Sequence, residues 1–191
     1  MDIKKKYLIF VVEDNKMYNH LIIGHLNKNG YSNLKSFTSG NECIEAVKNK
    51  EIPNIVIQDY FMDEMNGLEV LQKVKKIVPN TEFIFLTANE DISVAVSTMK
   101  SGAYDYVIKD NVALDKVVNK IQKIIKVFEL ERKNKQIQVL VRVFLLLLLV
   151  IAVSSILIFA LPLSRFIVTV AIFFKSLTKE ILLCPLEILF I

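Results

Sequence analysis

"IVIQDYFMDEMNG", residues 55–67, is the stretch that decides the fold. Ile55, Val56 and Ile57 read as a buried strand, Gln58 interrupts the run, and Asp59 stands where the strand leaves the core. Asp63 and Glu64 follow, and Asn66-Gly67 closes the turn. Leu68, Leu71, Val74 and Ile77 then repeat at helical spacing until Pro79 stops them. A buried strand handing a carboxylate to a loop, with a helix directly behind, is one unit of a βα repeat.

The same unit recurs on both sides. Residues 7–12 form a near-continuous apolar run, as expected of a strand covered on both faces. Residues 15–29 carry Leu21, Ile22 and Leu26 at helical spacing and end on Asn29-Gly30. Residues 34–37 are a shorter strand, and Ser39 with Glu42 makes a capping box ahead of a helix holding Ile44 and Val47. Residues 82–87 predict a fourth strand, 92–101 a helix ended by Gly102, and 104–109 a fifth strand. From about residue 112, Leu114, Val117, Val118, Ile121, Ile124, Ile125 and Phe128 mark one face of a long helix. The fold class expected is therefore α/β, a doubly wound five-stranded parallel sheet. Such sheets bind ligands at the carboxyl ends of their strands.

Composition divides the chain of 191 residues, whose net charge of +4 alone points to no nucleic-acid partner. Residues 136–191 carry only Arg142, Arg165, Lys175, Lys179, Glu180 and Glu187 among charged side chains, so the apolar character comes from the tail. Cys43 and Cys184 match no metal or redox spacing and read as two free thiols. The basic N-terminus precedes an apolar run too short for a signal peptide, so it reads as the first strand.

The strand ends carry the chemistry. The first delivers Glu13 and Asp14, the third Asp59, the fourth Thr87 and the fifth Lys109. In a doubly wound sheet these ends share one edge. Clustered carboxylates repel unless a cation offsets them, and Mg²⁺ is the oxygen-loving ion suited to that place. With a cation bound, one carboxylate stays ionised and can attack phosphorus, while Thr87 and Lys109 have the chemistry to hold the phosphoryl oxygens.

With those residues in view, the sequence resembles the receiver domain of two-component response regulators, over roughly residues 5–128. "VVEDN" (11–15) is similar to the family's acidic pair, and "IVIQDYFMDEMNGLEVL" (55–71) to its phosphorylation stretch. "IFLTAN" (84–89) resembles its strand-four hydroxyl motif, and "SGAYDYVIKD" (101–110) its strand-five lysine motif. The resemblance implies a flavodoxin-like strand order 2-1-3-4-5, with Asp59 as phosphoacceptor and a sensor histidine kinase as donor. It implies Mg²⁺ bound by Asp14 and Asp59 directly, by Glu13 through water, and by the backbone carbonyl of Phe61. Thr87 and Lys109 would hold the phosphoryl oxygens, and Tyr106 would change rotamer as Thr87 moves. Two positions depart from the family, Asp63 and Asp110, each standing where proline is usual. They bear on loop rigidity and phosphoryl lifetime; a cis bond before Asp110 would cost about 2.5–4 kcal/mol, so trans is expected there.

Residues 143–163 are uncharged and long enough to span a bilayer core as a helix. Arg132, Lys133, Lys135 and Arg142 precede them, which places the first 128 residues in the cytoplasm by the positive-inside rule. The expected organisation is a receiver domain (1–128), a helical linker (129–142) continuous with the last receiver helix, and a transmembrane helix (143–163). Residues 164–191 form an apolar tail, interfacial or a second membrane segment. The expected function is a phosphorylation-controlled switch on the inner membrane, single-pass, with no conventional enzyme turnover and no nucleic-acid partner; a homodimer is left open. A receiver-fold scaffold independent of phosphorylation is the alternative. An aspartate-nucleophile phosphatase is disfavoured because Phe61 occupies the place of its general acid. His20 and His25, five apart on one helix, are read as structural or surface residues rather than a shared metal site.

Overall fold

The structure is a computed structural model describing residues 3–88, 91–160 and 163–182, with the backbone alone described at 159–160, 163–166 and 180–182. Five parallel strands, β1 (Ile9–Val12), β2 (Leu34–Phe37), β3 (Ile55–Gln58), β4 (Glu82–Thr87) and β5 (Asp105–Ile108), make one sheet in the order β2-β1-β3-β4-β5. Between them run α1 (Lys16–Lys28), α2 (Gly40–Lys48), α3 (Gly67–Ile77) and α4 (Ile92–Lys100), and α5 (Ala113–Ala160) follows β5. Each strand–helix–parallel-strand step needs a crossover, which is why the helices cover both faces of the sheet.

Burial explains the apolar runs. Every residue of β1 and β3 is buried, Gln58 included, because both sheet faces are covered. One face packs Ile9, Val11, Ile55, Ile57, Ile84 and Leu86 against α1 and α5 through Ile22, Leu26, Val117, Ile121 and Ile124. The other packs Phe10, Val12, Val56, Phe83 and Phe85 against α2 and α3 through Cys43, Val47, Val70, Leu71 and Val74. The edge strand β2 is only partly buried, matching its weaker apolar pattern.

Local signals set the helix ends. Asn15, Ser39, Asn66 and Asp91 are N-caps whose side chains accept from Tyr18, Glu42, Glu69 and Ser93 amides. The expected capping box at α2 is modified. Ser39 Oγ accepts the Glu42 amide at 3.2 Å, but Glu42 Oε2 reaches the amide of Thr38 at 3.0 Å, one residue before the cap. Gly30, just past α1, has φ +89°, which suits a residue without Cβ.

Several expected boundaries shift. β1 starts at Ile9, and residues 3–5 form a short 3₁₀ turn. Tyr7 is nonetheless buried, with its hydroxyl donating to Glu129 at 2.6 Å. β3 and β5 end one residue before Asp59 and Lys109, leaving both side chains on loop residues at the sheet edge. His20 Nδ1 lies 2.6 Å from the Lys16 carbonyl and His25 Nε2 3.0 Å from Asp115, so the two rings serve separate local contacts. Cys43 is buried, and burial pushes its thiol up to about 12, so it is chemically quiet; Cys184 lies outside the described residues.

The chain divides into two compact units, Met1–Leu130 and Glu131–Ile191. The boundary falls within α5, an unbroken helix of 48 residues over the stretch where a helical linker is expected. α5 carries a stretch long and apolar enough to cross a membrane, none of it buried. α5 is described as far as Ala160 and a helix α6 as Leu163–Leu182, and residues 161–162 of the expected span lie outside the described residues. Within this unit, Val150, Val153, Ser154 and Leu157 of α5 face Val170, Phe173 and Phe174 of α6. The C-terminal part of the tail, residues 183–191, lies outside the described residues.

Candidate functional site

The strand order puts β1 beside β3, where successive crossovers go to opposite sides, so their carboxyl ends form the switch-point crevice. Glu13 follows β1 and is 2% exposed, Asp14 is next and half-buried, and Asp59 follows β3 at 7%. The Asp59 amide donates to the Val12 carbonyl at 2.9 Å, extending the β1–β3 ladder and fixing the height of the carboxylate. Carboxylate oxygens of Glu13, Asp14 and Asp59 all lie within 4.8 Å of one another.

Lys109 brings the opposing charge. Its Nζ donates to Asp59 Oδ2 at 2.6 Å and to Glu13 Oε2 at 2.8 Å, and its side chain is largely buried. Asp59 Oδ1 accepts from the Tyr60 amide at 2.6 Å. Burial pushes the Glu13 carboxyl up to about 7, and repulsion from Asp59 adds to it, while the hydrogen bond from Lys109 opposes both. Burial also pulls on the Lys109 ammonium, downward, but its bonds to Asp59 and Glu13 outweigh that and hold it above the usual lysine range. The pocket thus holds more negative charge than one ammonium offsets.

Three clustered carboxylate oxygens form a hard donor set, which fits Mg²⁺ better than a soft metal. Asp14 and Asp59 are placed to hold such an ion, with Glu13 beside them, and Phe61, two residues past Asp59, lies in the same loop. The Phe61 ring is 59% exposed and stands edge-on to Tyr60 at 5.0 Å.

Thr87 ends β4 fully buried, and its carbonyl accepts the Lys109 amide at 2.8 Å, which ties the β4 and β5 ends together. Its side chain hydrogen-bonds Tyr106, whose ring stacks on Phe85 at 6.5 Å. The six side chains singled out from the sequence therefore fall into two connected groups. Glu13, Asp14, Asp59 and Lys109 share direct contacts or a common pocket, and Thr87 pairs with Tyr106 alongside. Asp63 and Glu64 stay out of the carboxylate cluster, in the loop before α3. Among the described residues no peptide bond is cis, the one before Asp110 included.

Supporting residues are harder to read from the sequence. Asn19, buried on α1, donates to the carbonyls of Glu13 at 3.1 Å and Phe37 at 3.0 Å, pinning the β1 and β2 ends. Gln58 Nε2 donates to the Asp59 carbonyl at 2.7 Å. Gly67 sits so close beneath the loop that a Cβ there would lie 2.2 Å from the Asp59 carbonyl oxygen, and its amide donates to Tyr60. The signals available were a polar residue in an apolar run and an Asn-Gly pair, and neither says what it touches.

Known proteins share this fold. The family described as response regulator receiver domain matches residues 9–122. Chemotaxis protein CheY of Thermotoga maritima is 30% identical over 101 residues, covering 53% of this chain and 83% of that protein. The DNA-binding transcriptional regulator NtrC of Salmonella typhimurium is 28% identical over 132 residues, 69% of this chain but only 28% of that relative. Among solved structures, a response regulator receiver domain protein from Clostridium thermocellum superposes with a TM-score of 0.59 at 26% identity, over 65% of this chain and 98% of that one. The signal receiver domain of a putative LuxO repressor protein from Vibrio parahaemolyticus, at 22% identity and TM-score 0.59, shares the fold. The sheet order, the acidic crevice facing Lys109 and the match over residues 9–122 have one common account: the chain belongs to the response regulator receiver domain family.

Proposed function

We propose that this chain is a receiver that takes a phosphoryl group from a sensor histidine kinase onto Asp59, in a Mg²⁺-dependent reaction, and works as a switch anchored to the inner membrane. The observation that carries this reading is the Lys109 ammonium bridging Asp59 and Glu13 at 2.6 and 2.8 Å inside a three-carboxylate pocket. Bound Mg²⁺ would supply the positive charge that lets a phosphoryl group approach the acids. Asp59 is the acid between the cluster and Lys109, held by the Tyr60 amide with a second oxygen on Lys109. Thr87 and Lys109, with linked backbones, are the donors for the phosphoryl oxygens, and Tyr106 reports Thr87's position through their hydrogen bond. Reaction is confined to one residue of the chain itself, so this is a switch and not a turnover enzyme.

Anchoring rests on different support: the unburied apolar stretch of α5 and the basic residues Arg132, Lys133, Lys135 and Arg142 before it. In this reading the receiver is cytoplasmic, α5 makes the single pass, and α6, with Lys175 and Lys179, lies at the interface. A nucleic-acid output is not part of the proposal, although the relative NtrC is by name a DNA-binding regulator; the match covers only 28% of it.

The test uses membranes from cells making the full chain. Treated with Mg²⁺ and acetyl phosphate, the membrane fraction should carry a hydroxylamine-labile phosphoryl adduct on this chain, absent from Asp59→Asn. A labelled chain in the soluble fraction would remove the anchor and keep the switch. No adduct in either fraction would leave the phosphorylation-independent scaffold.

A further inference from the structure

Lys109 has a third neighbour besides Asp59 and Glu13. Tyr18, on the first turn of α1, stands half-buried with its ring face toward the ammonium, Nζ lying 4.6 Å from the ring centroid. α1 holds it there: the Tyr18 amide caps onto Asn15 Oδ1 at 3.1 Å, and the ring packs against the core cluster under α1 and α5. An ammonium within about 6 Å of an aromatic face is attracted by the ring quadrupole, more strongly where water is excluded. Lys109 is largely buried, so this contact is made away from bulk solvent.

The three contacts of Lys109 differ in what becomes of them. Phosphoryl uptake forms an O–P bond at the Asp59 carboxylate while the donor's bond to phosphorus breaks and its electron pair leaves with the donor. Asp59 then no longer offers Lys109 a free carboxylate, and a cation in the pocket draws on Glu13. The Tyr18 face is neutral and takes part in neither event. From this placement we infer that Tyr18 is a positioning residue for Lys109: its ring keeps the ammonium aimed into the pocket as the ion pairs with Asp59 and Glu13 are given up. The inference rests on Asp59 being the phosphoacceptor, and it adds a residue that acts through Lys109 and not on the phosphoryl group or a metal ion.

The ring face and the hydroxyl make separable predictions. In the full chain with saturating Mg²⁺, Tyr18→Phe keeps the face and should take phosphoryl from acetyl phosphate within about twofold of the unmodified rate. Tyr18→Leu removes the face and should lower that rate roughly five- to thirtyfold, the size of a partly desolvated cation–π contact. In a Lys109→Met background Tyr18→Leu should cost nothing further, because the ring then has no ammonium to hold. Equal losses for Phe and Leu would overturn the inference, as would an undiminished loss in the Lys109→Met background. A measurement on the unmodified chain covers the case of a poorly folding Leu variant. The Lys109 ε-methylene protons should resonate upfield from the ring current of Tyr18, and an unshifted position would also overturn it. If the unmodified chain takes no phosphoryl group at all, the phosphoacceptor reading itself fails, whatever the ring current shows.

Discussion

In the unit from Met1 to Leu130, Ile9, Ile55 and Ile84 are 0% exposed, whereas in the unit from Glu131 onward Leu145, Leu147 and Leu149 are 57%, 54% and 56% exposed. Both sets are aliphatic, and the difference lies in what surrounds them. The first set alternates with polar loops and amphipathic helices that close over both sheet faces. The second belongs to a run with no polar face, none of which is buried. Apolar content alone therefore predicts burial only when the rest of the sequence supplies something to bury it against.

Truncating one residue of each kind puts this contrast at greatest risk. Ile84→Ala, at the centre of the sheet, should cost about 2–5 kcal/mol in the receiver unit's denaturant unfolding, from lost transfer energy plus a cavity. Leu147→Ala, in detergent-solubilised chain, should leave the same transition within about 0.5 kcal/mol. Similar losses at both sites would mean that the exposed stretch contributes to the receiver's core after all.

The acidic pocket refines the contrast from within the folded unit, because it is buried yet polar. Glu13, raised from 4.5 to about 7, binds its proton more tightly folded than unfolded. Its contribution is therefore fully present below about pH 4.5 and is lost as pH rises through about 7. Moving a carboxyl's titration by one pH unit corresponds to about 1.4 kcal/mol, so the metal-free chain should lose on the order of 3 kcal/mol across that window. Mg²⁺ should restore most of the loss above pH 7 and little below pH 5, since proton and cation compete for one pocket. Urea midpoints against pH, with EDTA and with Mg²⁺, check this; a Glu13→Gln chain should show a flatter profile.

Gly67 gives a smaller effect of the same origin. Tight packing under the Asp59 loop means that Gly67→Ala must push aside a backbone carbonyl, at a cost of about 1–3 kcal/mol in unfolding free energy. Phosphoryl uptake should slow as well, because the displaced carbonyl belongs to Asp59.

Much of the receiver was legible because its signals are local. The apolar runs at 55–57 and 83–86, the capping residue Ser39, and the placement of Asp59, Thr87 and Lys109 at strand ends all follow from short-range pattern plus parallel-sheet geometry. What escaped was non-local. No spacing announces that Tyr18 lies over Lys109, that Asn19 reaches the carbonyls of Glu13 and Phe37, or that Gly67 abuts Asp59, since each depends on how a helix settles on the sheet. In the tail, Lys175 and Lys179 interrupt the apolar pattern that would mark a span, yet α6 runs unbroken from Leu163 to Leu182 because its residues are adequate helix formers.

The proposal that Asp59 is the carboxylate that takes a phosphoryl group can be tested directly on the chain. Full chain treated with acetyl phosphate and Mg²⁺, then reduced with borohydride, converts an acyl phosphate on aspartate to homoserine, which peptide mass spectrometry locates. Homoserine is expected at residue 59 and should be lost when Mg²⁺ is omitted. Homoserine at residue 63 or 14 instead, with Asp59 untouched, would contradict Asp59 as the phosphoacceptor.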